Sequence, residues 1–300
     1  MALEIAIENG RRKLYPCRGG YPLNEVKVVR DLRPVLDQDF HDIIYEKNRE
    51  THVARVTINR PQTLNSLTGE TMWEIASAIN DAAADELIGV VLLTGAGDRA
   101  FSSGGDIHWE KSGIQSKFFQ VDARIVHDAI RHCLKPVIAV VKGYAIGMGN
   151  HLAYCCDLTI AADNAVFGQN GPRVGSPAEG IIVSYSTFVV GQKRARELWM
   201  VCRKYSASEA LAMGMCNAVV PLDQLDQEVD SWCAEILALS PSVLAGIKAS
   251  FEVVADFLRD SDPGHWQRIL KPGGYPVQEL LEGQNAFLEK RPPDFWRFRS

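Results

Sequence analysis

The chain has 300 residues, of which 46% are apolar and 23% charged, and it carries a net charge of -5. That balance supports a folded core and excludes a disordered chain. The acidic charge excludes the basic surface that non-specific nucleic-acid binding needs. No apolar run approaches the roughly 20 residues of a membrane helix, so a soluble protein with no membrane partner is expected.

The N-terminus shows no basic start followed by an apolar stretch and a small-residue cleavage site, which points to a cytoplasmic chain. Residues 1–38, rich in charge, Gly and Pro, read as an arm that packs on the body or on a neighbouring subunit. The body, residues 39–259, begins with the half-buried strand pattern of Val53 to Asn59, followed by an amphipathic helix over Glu70 to Ala84. Gly89 to Thr94 and Pro136 to Val141 are continuous apolar runs, as in strands covered on both faces. Between them Val121 to Cys133 reads as a helix, and Asp106 to Val126 as a flexible loop. Further strands are predicted over Asp157 to Ala162 and Cys216 to Val220, and further helices over Lys193 to Cys202, Ala207 to Met213 and Leu225 to Leu239. Strands alternating with helices give an α/β class. The segment 260–300, with its aromatic and basic end, reads as a docked tail.

Seven cysteines, Cys17, Cys133, Cys155, Cys156, Cys202, Cys216 and Cys233, form no CxxC pair. They read as reduced core thiols, and no metal site is expected. Two glycine-rich turns each follow a buried strand: Phe101-Ser-Ser-Gly-Gly-Asp-Ile107 and Gly143-Tyr-Ala-Ile-Gly-Met-Gly-Asn150. Either alone is an ordinary tight turn. As a pair they are able to aim two backbone N–H groups at one thioester oxygen, which is how an enolate is stabilised. Neither is a dinucleotide or phosphate-binding fingerprint.

These turns, with Asn59-Arg-Pro61 and Cys156-Asp-Leu-Thr-Ile-Ala-Ala-Asp-Asn-Ala-Val-Phe-Gly-Gln169, resemble the enoyl-CoA hydratase, or crotonase, superfamily. The resemblance runs from about Phe40 to the C-terminus. It implies a crotonase-like spiral of strand-strand-helix units with a C-terminal helical region, an acyl-CoA substrate, and assembly as a homotrimer or homohexamer. It also implies that the N–H groups of Gly105 and Met148 form the oxyanion hole, although most relatives carry Gly where Met148 stands.

Hydratases of the superfamily use two glutamates; here the matching positions hold His151 and Gly171. The stretch Phe167-Gly-Gln-Asn-Gly-Pro-Arg-Val-Gly-Ser176, Val190 to Trp199, and Gly283 to Phe295 instead resemble 1,4-dihydroxy-2-naphthoyl-CoA synthase and 2-ketocyclohexanecarboxyl-CoA hydrolase. That likeness implies a bicarbonate pocket at Gln169, Gly171 and Trp199, an active-site Ser176, and Tyr275, Phe287 and Lys290 reaching over the acyl-CoA of a neighbouring subunit. No tightly bound cofactor is expected beyond coenzyme A as part of the substrate and, in that pocket, bicarbonate. The synthase's aspartate after the serine is missing, leaving Glu179 one position further on, and the loop holding Phe118 and Phe119 lacks the synthase's tyrosine.

Three functional readings follow. The first is ring-opening hydrolysis of a cyclic β-oxoacyl-CoA, with His151 or the bound anion activating water. The second is the reverse, an intramolecular Claisen cyclisation. The third is a non-catalytic acyl-CoA-binding protein. The residues also carry plainer readings: His151 as a core histidine, His108 as a solvent-facing side chain, and Glu179 as a helix-start carboxylate that favours the dipole.

Overall fold

A computed structural model describes residues 3–8, 11–16, 40–116, 124–176, 178, 180–260 and 275–298. The chain divides into two units, Met1–Arg33 and Pro34–Ser300. In the first, β1 (Leu3–Glu8) and β2 (Arg11–Pro16) pair antiparallel, with Leu3 opposite Pro16 and Glu8 opposite Arg11. A segment expected to lack periodicity is thus a hairpin.

The second unit is built from repeated strand-strand-helix turns. Its main sheet has six strands: β3 (Ile43–Asn48), β4 (Val53–Ile58), β5 (Val90–Gly95), β7 (Val137–Val141), β9 (Leu158–Ala162) and β12 (Ala218–Val220). They lie in the order β12-β9-β7-β5-β4-β3, and only the β3/β4 pair is antiparallel. A second sheet takes one three-residue strand from successive turns, β6 (Ala100–Ser102), β8 (Tyr144–Ile146) and β10 (Val166–Gly168), and ends on β11 (Lys204–Ser206). The expected spiral of strand-strand-helix units is the observed fold.

The continuous apolar runs are explained by the main sheet having cores on both faces. Val91, Leu93, Val137, Ala139 and Val141 join the larger cluster, whereas Val90, Leu92, Ile138, Val140 and Ile160 join a second one. Alternation along each strand sends neighbours to opposite faces, and both faces are apolar. Helix α1 (Gly69–Ala84), started by a Thr68/Thr71 capping box, buries Met72, Ile75, Ile79 and Ala82 at helical spacing. The other face is closed by α9 (Leu225–Leu237), through Leu225, Val229 and Cys233.

The remaining helices are α2 (Ile107–Ser116), α3 (Arg124–His132), α4 (Met148–Cys155), α5 (Gly171–Val174), α6 (Ile181–Ser184), α7 (Ser186–Val201), α8 (Ala207–Met213), α10 (Pro241–Asp260) and α11 (Val277–Leu288). Helix α2 corrects the reading of Asp106 to Val126 as a loop: its first ten or so residues form a helix, begun by Asp106, whose Oδ1 accepts from the N–H groups of His108 and Trp109 at 3.1 and 3.2 Å. Phe118 and Phe119 lie outside the described residues, as does Cys17. The other six cysteines are free and buried. Among the described residues no single helix is long and apolar enough to cross a membrane.

Candidate active site

The two glycine-rich turns belong to successive turns of the spiral and meet where the second sheet ends. Leu67 donates to Gly104 O at 2.8 Å, and Asp106 donates to Leu67 O at 2.9 Å, so this short parallel bridge leaves the intervening Gly105 N–H outside its ladder. Gly104 sits at φ +95°, where a β-carbon would lie 2.7 Å from Ile146 O and 3.2 Å from Met148 N. The two loops touch there, and only glycine permits it. Gly147, also at positive φ, precedes α4 and donates to Gly168 O at 2.9 Å. Met148 N–H is therefore in the first turn of α4, where no intrahelical acceptor exists and the dipole is positive.

Below these turns lies a cavity of about 940 Å³, within the range of small-molecule sites. Its wall carries Gly105, Met148, His151, Gln169, Gly171, Ser176, Trp199 and Phe287. Eight of the expected site residues are thus gathered round one space. Gln169 is 2% exposed and neither atom of its amide has a hydrogen-bond partner among the described residues. Trp199 is buried beside it on α7 and donates Nε1–H to Ser186 Oγ at 3.1 Å. An orphaned donor next to a glycine turn fits a small polar guest.

His151 lies on α4 and is 1% exposed. Its ring packs on His127 and Tyr154, with centroids 4.9 and 5.1 Å away, and its Nδ1 is 3.2 Å from Met148 Sδ. Burial, seconded by His127, lowers its pKa well below the usual histidine value. An imidazole so held stays neutral and is a weaker base than a free one, which tells against His151 as the group that activates water. Cys155, one turn along, brings a third ligand-type atom within 4.8 Å of both imidazoles, a grouping that the cysteine spacing did not suggest. Burial raises its thiol well above the usual range, whereas a metal would require the thiolate.

The C-terminal residues Tyr275, Phe287 and Lys290 differ in where they lie within the chain. Helix α11 packs against α5 and α2 of its own chain. Phe287 lines that chain's own cavity, and Tyr275 donates to Ala178 O at 3.5 Å, also on the cavity wall. In the single chain, Phe287 and Tyr275 thus border its own cavity. Lys290 is exposed and absent from the wall, because α11 ends at Leu288 and Lys290 turns away at φ +55°. Arg99, exposed at the rim of the same cavity, is the cation placed there instead. His108 is exposed, as its plainer reading held, yet it also borders the cavity. Glu179 lies outside the described residues.

A residue that sequence reasoning missed completes the wall. Glu110, in the first turn of α2, lines the cavity together with Ser176, whose hydroxyl lies near enough to its carboxylate to favour the ionised form. Its Oε2 is enclosed without a hydrogen-bond partner among the described residues. Burial raises its pKa; the Ser176 hydroxyl opposes that and the charge of Asp106 adds to it. Asp106 itself is held low: burial raises it, but the N–H groups of Trp109 and His108, the Ser66 hydroxyl and Arg60 outweigh burial.

The family model described as enoyl-CoA hydratase/isomerase matches residues 48–297. The chain belongs to the enoyl-CoA hydratase/isomerase family. It is similar to the crystal structure of an enoyl-CoA hydratase from Mycobacterium avium subsp. paratuberculosis, with 30% identity over 85% of this chain and 99% of that one and a TM-score of 0.70. It is also similar to methylmalonyl-CoA decarboxylase, with 25% identity over 86% and 98% of the two chains and a TM-score of 0.76. A monofunctional enoyl-CoA isomerase from M. smegmatis matches at 32% identity over 72% and 94%, with a TM-score of 0.61. The protein is therefore a crotonase-family enzyme acting on acyl-CoA thioesters. Its relatives by structure span hydration, isomerisation and decarboxylation, so fold alone does not choose the reaction.

Proposed function

We propose that this enzyme opens the ring of a cyclic β-oxoacyl-CoA by hydrolysis, using the N–H groups of Gly105 and Met148 to hold the thioester enolate. The observation that carries the reading is the contact between the two glycine turns at Gly104 and Met148, which brings both donors to one end of a cavity whose hydratase-type acid positions are His151 and Gly171. Preformed donors stabilise an oxyanion without reorganising solvent, an effect of about 3 to 4 kcal/mol for one donor in related cases.

Water adds to the ring ketone and gives up a proton; Gln169, Gly171 and Trp199 would hold a bicarbonate, which would supply a base at that point. The bond between the former ketone carbon and the α-carbon then breaks. Its electron pair moves into the thioester enolate, and protonation at the α-carbon yields a dicarboxylic acid mono-CoA thioester. The unpartnered amide of Gln169 supports the anion's position. Tyr275 and Phe287 close the acyl end, and Arg99 at the rim faces the coenzyme's phosphates.

Incubation with 2-ketocyclohexanecarboxyl-CoA in heavy-oxygen water, with and without bicarbonate, tests this by mass spectrometry. A product heavier by one labelled water, formed faster with bicarbonate, is expected. No mass change, with dehydrative ring closure of o-succinylbenzoyl-CoA instead, would replace hydrolysis by cyclisation.

A further inference from the structure

The structure assigns a second proton carrier to this site: we infer that Glu110, steadied by Ser176, moves the proton on and off the α-carbon of the bound acyl-CoA. The inference rests on the enolate reading above and goes beyond it, since the resemblance that suggested the reaction puts no acid on α2.

The placement carries it. A β-carbon on Gly105 would overlap Glu110 Oε1, so one carboxylate oxygen sits directly against the residue whose N–H is to hold the thioester oxygen. The α-carbon of a thioester is one bond from the carbonyl carbon, which brings it beside that carboxylate. Ser176 lines the same cavity, its N–H donating to Gly171 O at 3.0 Å, and its hydroxyl favours the ionised carboxylate of Glu110. The other oxygen, Oε2, is enclosed and unpartnered among the described residues. A carboxyl on a ligand-cavity wall, with one oxygen against Gly105 and the other enclosed without a partner among the described residues, suits proton transfer better than structural support.

In ring opening, the C–C electron pair enters the enolate and Glu110, in its acid form, gives its proton to the α-carbon. The resulting carboxylate is reprotonated from solvent, which also receives the proton lost by the attacking water, so the protons balance over one turnover. In the reverse sense the carboxylate removes the α-proton, the C–H pair becomes the enolate, and no other reactant is needed. The titratable and charged groups around it are Asp106, paired with Arg60, His108 and Arg99 at the cavity edge, His151 on α4, Lys111 on α2, Arg173 on α5, and Glu279 and Glu282 on the packed α11.

The test is α-proton exchange in deuterated water, read by mass on cyclohexanecarboxyl-CoA, a thioester with no ring ketone, so that it is independent of ring opening. Wild-type protein is expected to exchange the α-hydrogen, with a rate that rises with pH through the Glu110 titration. Glu110→Gln is expected to lose about 10²-fold or more of that rate, to lose the pH limb, and to bind the thioester within a few-fold of wild type by calorimetry. Glu110→Asp restores part of the rate. Ser176→Ala, which removes the hydroxyl that lowers Glu110, moves the limb to higher pH, an effect that a merely structural serine would not produce and one that still reports if Glu110→Gln folds poorly. Exchange by Glu110→Gln at the wild-type rate overturns Glu110 and leaves the enolate reading standing. Binding without any exchange by the wild type overturns both.

Discussion

Lys248 of α10 reaches Asp157 Oδ2 at 2.7 Å from a position 5% exposed, and its ammonium also donates to Ile130 O and Lys135 O at 2.9 and 3.1 Å. Asp157 accepts in addition from Val137 N at 2.7 Å. One ion pair, buried on the lysine side and partly exposed on the aspartate side, thus joins α10 to α3 and to the starts of β7 and β9, the strands that lead into the site.

Removing one partner of such a pair strands the other charge. Because Asp157 stays in partial contact with water, Lys248→Met is expected to cost about 1.5 to 3 kcal/mol, the worth of a hydrogen bond to a charged group, measured by urea unfolding. The double variant Lys248→Met/Asp157→Asn should recover part of that loss.

Gly104→Ala places a β-carbon against Ile146 O at a backbone φ of +95°. The loops must part, and the oxyanion geometry with them. A loss of about 10²-fold to 10³-fold in kcat is expected, with the acyl-CoA still bound. Unchanged turnover would show that the contact does not set the donors.

His151 is neutral in the folded chain well below pH 6.5, whereas the unfolded chain takes up a proton there. The sign follows: the stability that goes with its lowered pKa is complete above about pH 6.5 and is lost as pH falls, by about 1.4 kcal/mol per pH unit. His151→Leu should flatten the dependence between pH 6.5 and 5, so wild type loses about 2 kcal/mol more than the variant over that interval. Parallel curves for the two would remove the buried neutral histidine.

Glu282 on α11 receives Arg291 at 2.6 and 3.0 Å, Arg297 at 2.7 Å and Asp294 N–H at 2.9 Å. The Arg291 hydrogen bonds, then the Asp294 N–H, hold it low, at about 2. Its contribution is present above about pH 4.3 and disappears as pH falls toward 2. Glu282→Gln should expose the segment after α11 to trypsin at neutral pH, and wild type in acid should come to resemble it. Equal digestion of both proteins at pH 7 would count against the clamp.

The central strands of the main sheet were readable because they are apolar on both sides, so Val90 to Gly95 and Val137 to Val141 stand out without any partner being known, whereas the edge strand Ile43–Asn48, half of it exposed, was not predicted. Strands β6, β8, β10 and β11 were not, since three residues carry no period. The hairpin in the first unit had a signal that went unused: Leu3, Ile5 and Ile7 alternate with other residues, and Asn9-Gly10 falls between the strands. Gly105, Met148, Gln169, Gly171, Ser176 and Trp199 were legible through the resemblance. Glu110 was not, because α2, with His108, Glu110, Lys111 and Ser112, has no apolar stripe to mark it as a helix. Only the cavity shows that Glu110 lies on its wall.

The meeting of the two turns also bears on how this site tolerates change. Both donors are main-chain amides at the ends of β6 and β8, parallel neighbours whose pairing shifts register between Ala100 and Ser102. Their separation is inherited from the interstrand spacing of about 4.8 Å, and side chains hardly enter it. Methionine in place of glycine at 148 therefore leaves the donor in position, whereas a single residue inserted or deleted between Phe101 and Gly105 would carry one amide out of reach of the other. Drift in identity is cheap at 148, whereas a change at Gly104 or a change in length is not.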